Sequence, residues 1–153
     1  MKEYFMKQAL KEAKKAYEKS EIPVGAVIVL NNKIIARGNN QKETLSSSIS
    51  HAEINAIQKA NKKLGEWRLL DCEMYVTLEP CSMCAGAIIQ SRIKNIYIGT
   101  MDKKTGACGS VLNLLKDYPF NHKVEVEYNV LQNECEEILK DFFKNLREGK
   151  IER

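Results

Sequence analysis

EMYVTLEPCSMCAGAIIQSRIKNIYIG runs from Glu73 to Gly99 and holds two periodicities on either side of one proline. EMYVTL (73–78) is rich in β-branched and aromatic residues and reads as a strand. Residues 82–91 read as a helix, and KNIYIG (94–99) as a second strand. Two strands joined by a crossover helix of this length run parallel, with a right-handed crossing. In such sheets ligand sites lie beyond the carboxyl ends of the strands. Pro80-Cys81 stands at that end of the first of these strands.

The remaining segments arrange themselves around this unit. Residues 2–19 place Tyr4, Phe5, Leu10, Ala13, Ala16 and Tyr17 at mostly helical spacing among lysines. VGAVIVL (24–30) is nearly continuous in apolar residues and suits a strand buried on both faces. Asn31-Asn32 then predicts a tight antiparallel hairpin into KIIARG, because asparagine tolerates positive φ. Residues 39–50 form a polar loop, and a helix starts at Ser50 or His51 and reaches about Lys63. KVEVEY (123–128) is the last strand, and a helix over 132–147 closes the chain. The expected architecture is a mixed five-stranded α/β sheet. Its first pair is antiparallel, its later strands are parallel, and helices cover both faces.

At 153 residues, with 44% apolar residues and only three prolines, the composition fits one folded domain over 1–153. The amino terminus carries charges throughout and has no apolar core of a signal peptide. No run approaches the roughly 18 apolar residues of a membrane span. The expectation is a soluble, cytoplasmic protein. A net charge of +4 is compatible with a polyanionic partner and equally with a lysine-rich surface.

The five cysteines are Cys72, Cys81, Cys84, Cys108 and Cys135. An odd number without a secretion signal favours metal-binding or catalytic thiols over disulfides. Cys81 and Cys84, at i and i+3, share one helical face. Of the two histidines, His51 opens a predicted helix and is followed two residues later by Glu53. His-x-Glu followed by Pro-Cys-x-x-Cys is the established signature of zinc nucleobase deaminases. A thioredoxin-like redox pair would leave the His-x-Glu half unexplained. His51, Cys81 and Cys84 supply three zinc ligands and leave the fourth position to water. Glu53 then serves as the local base and acid, since as a fourth ligand it would close the site. Peptide N–H groups around Cys81 are candidates to stabilise the developing oxygen. Two rival roles stay open. Ser50-His51-Ala52-Glu53 also fits a capping box, and Cys108 or His122 could complete a closed structural zinc site.

The chain resembles the bacterial tRNA-specific adenosine deaminases of the cytidine-deaminase-like superfamily. The resemblance is carried in order by IPVGAVIV, HAEINAI, residues 74–87, DKKTGACGS (102–110), NHKVEV (121–126) and VLQNECEEILKDFFKNLR (130–147). It implies a three-layer α/β/α fold, one Zn2+ per chain, a homodimer, and adenosine-to-inosine conversion at the first anticodon position of tRNA. It also implies nucleoside contacts from Asn40 and Ala52. An anticodon loop suits the chemistry, since its bases are already partly unstacked. Asp102 is a candidate acceptor for a ribose 2′-hydroxyl. Lys103, Lys104, Lys144, Arg147, Lys150 and Arg153 are candidates for backbone phosphates. Leu131, Cys135, Ile138, Leu139, Phe142, Phe143 and Leu146 form the expected buried face of the last helix. The chain departs from the family at NNQKE and at LSSSIS (45–50), where an Asp-Pro-Thr/Ser segment is common. Alternative functions are a free-base or nucleoside deaminase, such as a guanine deaminase, and a non-catalytic zinc-containing RNA-binding protein.

Overall fold

The hairpin at Asn31-Asn32 forms as its residues require. In the computed structural model, which describes residues 1–152, both asparagines are left-handed, with φ of 52° and 62°. They join β1 (Gly25–Leu30) to β2 (Lys33–Asn39), with Leu30 paired to Lys33. This is the two-residue turn whose twist matches that of the flanking strands. β3 (Glu73–Leu78) pairs antiparallel with β1, and β4 (Asn95–Thr100) and β5 (Glu125–Glu127) continue in parallel. The order is β2-β1-β3-β4-β5, the mixed sheet expected from the crossover unit.

Alternation along β1 buries both faces. Ala26 and Ile28 join one apolar cluster with Ala52, Ala56, Ala85 and Ile88, from α2 (Ala52–Leu64) and α3 (Ser82–Gln90). Val27 and Val29 join a second, with Phe5, Met6, Ala9 and Cys135, from α1 (Lys2–Glu18) and α4 (Gln132–Arg147). The sheet is thus the middle of three layers. Helix α2 lies very close to β2. A Cβ on Gly38 would stand 2.2 Å from the Ala52 carbonyl oxygen, so only glycine permits this approach. Helix α4 comes as close to β4, where a Cβ on Gly99 would meet Cys135 Sγ at 2.4 Å.

Two expectations shift. β5 holds only Glu125–Glu127, because it is an edge strand with one partner. On α4, only Cys135 and Phe142 are fully buried, and Phe143 is 38% exposed. Beyond Cys135 the helix leaves the sheet and packs by Phe142 against Tyr17 of α1, with ring centroids 5.3 Å apart. Leu139 and Phe143 are left facing a pocket.

Candidate metal centre and substrate pocket

Two helix amino termini meet beyond the end of β3. His51 is the N-cap of α2 and Cys81 the N-cap of α3, and neither makes a side-chain capping hydrogen bond. A capping side chain is worth about 1 kcal/mol to a helix. Both helices forgo it and turn these side chains towards one another. His51 Nδ1 lies 3.6 Å from Cys81 Sγ and 3.6 Å from Cys84 Sγ. The three donor atoms lie within 4.8 Å of one another, the only such group of metal-ligating side chains among the described residues.

The donor set fits zinc. Bonds of about 2.3 Å to sulfur and about 2.05 Å to nitrogen, at tetrahedral angles, place S and N about 3.6 Å apart. One imidazole and two thiols suit an ion of borderline softness. Both helix amino termini present positive dipole ends, which favour thiolates. Among the protein groups themselves, hydrogen bonding from Cys84 and then His51 lowers the Cys81 thiol to about 4, against the opposing effect of burial. The Cys84 thiol is driven far up by its hydrogen bond to Cys81 and by burial. The His51 imidazole is raised, first by its hydrogen bond to Cys81.

The capping-box reading of Glu53 fails on register. With His51 as N-cap, Glu53 occupies the second helical position, whereas a capping box needs the third. The Ser50 hydroxyl instead meets the Asn55 side chain at 3.2 Å. Glu53 is 4% exposed, beside Cys84 and the Cys81–His51 pair. Burial pushes its carboxyl up to about 7 before any metal charge is added.

The other ligand candidates lie elsewhere. His122 Nε2 bonds the Ile93 carbonyl at 2.6 Å. Cys108 is fully buried and belongs to the α2/α3-side core, and burial pushes its thiol pKa well up. Cys72 and Cys135 are likewise buried free thiols.

A pocket of about 490 Å³ opens over the centre and includes His51, Ala52, Glu53 and Cys81 in its lining. Ile22, Val24, Leu78 and Met101 supply apolar walls, with Leu139 and Phe143 from α4. That volume is in the range of small-molecule sites. Asn40 is buried at the rim and held on both sides. Its Nδ2 donates to the Ile22 carbonyl at 3.1 Å, and its Oδ1 accepts from the Lys42 N–H at 3.1 Å. Asp102 also lines the pocket, but its carboxylate is engaged in its own loop, by the N–H groups of Lys104 and Thr105 and the Thr105 hydroxyl. Lys103, Lys104 and Lys42 complete the mouth. Lys144, Arg147 and Lys150 are exposed and do not line it, and Arg153 lies outside the described residues.

Sequence reasoning missed Leu139 and Phe143 as pocket walls, because helical periodicity assigns them to a buried face without saying what they face. It also missed two buried carboxylates, Glu21 and Glu79, at 0% and 2% exposure. Their signal was their place within otherwise apolar segments flanking the first and third strands.

The sequence matches the family model described as MafB19-like deaminase over residues 1–147. It is 51% identical to a tRNA-specific adenosine deaminase of Bacillus subtilis (strain 168), over 97% of this chain and 92% of that one. A solved tRNA:A34 deaminase, studied for A-to-I editing at the wobble position of transfer RNA, superposes with a TM-score of 0.86 at 42% identity. That match covers 89% of this chain and 99% of the other. A guanine deaminase from Bacillus subtilis superposes less well, with a TM-score of 0.62 at 31% identity, over 78% of this chain and 86% of that one.

Proposed function

We propose that this chain, which belongs to the MafB19-like deaminase family and within it to the tRNA-specific adenosine deaminases, converts adenosine to inosine at the first anticodon position of tRNA. The observation that carries the reading is a buried carboxylate, Glu53, beside a three-donor centre at the floor of a pocket. Three donors leave one position of a tetrahedral ion open, as hydrolytic zinc sites require.

His51, Cys81 and Cys84 would hold one Zn2+. When bound, zinc supplies a Lewis-acid centre that makes water acidic enough to attack near neutral pH. Glu53 accepts a proton from the attacking water and passes it to the adjacent ring nitrogen. It then takes the second proton, from the hydroxyl now on the ring carbon, and delivers it to the amino group. That group leaves as ammonia as the C–N bond breaks and the C=O bond forms; the one carboxylate acts as base and acid in turn. A carboxyl raised by burial suits both roles. The apolar walls exclude bulk water, and Asn40 and Ala52 orient the nucleoside at the rim. Lys42, Lys103 and Lys104 meet the phosphates on either side.

Two rival functions lose ground. A closed structural zinc site needs a fourth protein donor, and Cys108 and His122 are committed elsewhere. The guanine deaminase likeness is weaker in identity and in superposition than the likeness to the tRNA:A34 deaminase. We expect a cytoplasmic enzyme, the location that suits a tRNA substrate, and no described helix is long and apolar enough to cross a membrane. We expect one deaminase domain over 1–153 and a homodimer. Exposed Val111, Leu112, Tyr118 and Phe120 support an apolar interface.

The test is Glu53→Gln. Loss of proton transfer should lower kcat about 10²–10⁴-fold, measured as inosine by sequencing of treated tRNA, with one zinc per chain retained. Full activity with metal in place would refute the role. Ammonia release from free guanine, without inosine in tRNA, would select the guanine deaminase reading.

A further inference from the structure

We infer that Glu79 and Glu21 are positioning residues, each fastening one rim of the substrate pocket through its buried carboxylate. The inference rests on the deaminase reading only for its kinetic readout. Neither residue is proposed to touch the reacting atoms.

Glu79 follows β3 directly, and its own N–H continues the parallel ladder to the Thr100 carbonyl at 2.8 Å. Its side chain crosses the crevice between the ends of β3 and β4. There it accepts from the Asp102 N–H at 2.9 Å, the Cys108 N–H at 3.0 Å, and the Ser110 N–H at 2.9 Å. The Ser110 hydroxyl donates as well. These donors bracket residues 102–110, the loop that brings Asp102, Lys103, Lys104 and Thr105 to the pocket. The Ala107 N–H adds a bond to the Pro80 carbonyl at 2.9 Å. Gly106 lies so close that a Cβ there would stand 2.2 Å from Glu79 Oε1. The loop is therefore wrapped around one carboxylate, next to the turn that carries Cys81.

Glu21 performs the same task on the opposite rim. It accepts from the Glu43 N–H at 3.1 Å, the Thr44 N–H at 2.6 Å and the Thr44 hydroxyl at 2.7 Å. This holds the polar loop that begins at Asn40 and Lys42 against the segment bearing Ile22 and Val24. A buried carboxylate can only remain where several donors converge on it. Both loops thereby have a fixed position without regular secondary structure of their own. Fixed rims position the substrate before the chemistry begins.

The test uses the zinc-loaded full chain and an unmodified anticodon stem-loop RNA with adenosine at the first anticodon position. Ser110→Ala and Thr44→Val each remove one hydroxyl donor from an exposed residue and leave the carboxylates paired to peptide N–H groups. Each should raise KM about five-fold, with kcat within about two-fold and zinc content unchanged. Amide hydrogen exchange should speed up in 102–110 for Ser110→Ala and in 41–47 for Thr44→Val, and not in the other loop. Glu79→Gln should give the larger effect on the same loop. If it does not fold, the two hydroxyl variants decide. Unchanged exchange in the matching loop overturns the inference, as does a fall in kcat or zinc content at constant KM. If the unaltered chain makes no inosine, the tRNA reading fails, and the exchange measurement still judges the rims.

Discussion

Salt dependence of RNA binding distinguishes a footprint confined to the pocket mouth from one that extends along α4. Lys42, Lys103 and Lys104 line the mouth and form no ion pair among the described residues. Each phosphate neutralised on a single-stranded loop contributes about −0.7 to the slope of log K against log salt, so three lysines give about −2.1. Raising salt from about 50 to 200 mM should then weaken binding about 18-fold. If Lys144 and Arg147 also engage, the slope steepens to about −3.5 and the loss to about 130-fold. Replacing Lys103 and Lys104 by glutamine should flatten the slope by about 1.4 in either case. The measurement is fluorescence anisotropy with a labelled anticodon stem-loop, on the Glu53→Gln background to prevent turnover. A slope shallower than about −1, or one that the double substitution leaves unchanged, refutes the assignment of these lysines to phosphates.

Other outcomes follow from the packing and the centre. His51→Ala or Cys84→Ala should leave less than one zinc per chain after dialysis, by elemental analysis, and abolish inosine formation. Full zinc content in either would require a different donor. Gly38→Ala drives a methyl into the backbone of α2, 2.2 Å from the Ala52 carbonyl oxygen. It should cost about 1–3 kcal/mol in denaturant unfolding and lower kcat, because that helix start carries His51 and Glu53. Phe142→Ala empties a fully buried site and should cost about 3–5 kcal/mol, visible as a large fall in Tm.

The sheet was legible because its signals are local. Both asparagines of the first turn, the continuous apolar run of β1 and the crossover around Pro80 each impose one geometry. The three converging donors were legible because metal binding restricts residue type and spacing together. The rival capping box at Ser50 misses the helix start by one residue, since local spacing does not show that His51 is the N-cap and is turned towards two thiols. Asp102 stays a candidate acceptor at the pocket mouth, and what the sequence did not show is that a short loop lets its carboxylate also reach its own Lys104 and Thr105 N–H groups. The face of α4 was overestimated for a different reason. Period alone gives the direction of Leu139 and Phe143, and tertiary placement decides whether a sheet or an opening lies there. Glu21 and Glu79 stood out only as acids in apolar segments, and their roles were not legible because their donors come from segments 22 to 31 residues away.

Helix α4 is moored at one end by a sulfur seated on Gly99 and reaches the opening only with Leu139 and Phe143. The three donors and Glu53 come from two other helices altogether. Natural variation or laboratory selection can therefore recut the entrance by editing one turn of this terminal helix while the chemistry stays intact. Changes in which nucleic acids are accepted should accumulate there first, far along the chain from the proposed centre at His51, Glu53, Cys81 and Cys84.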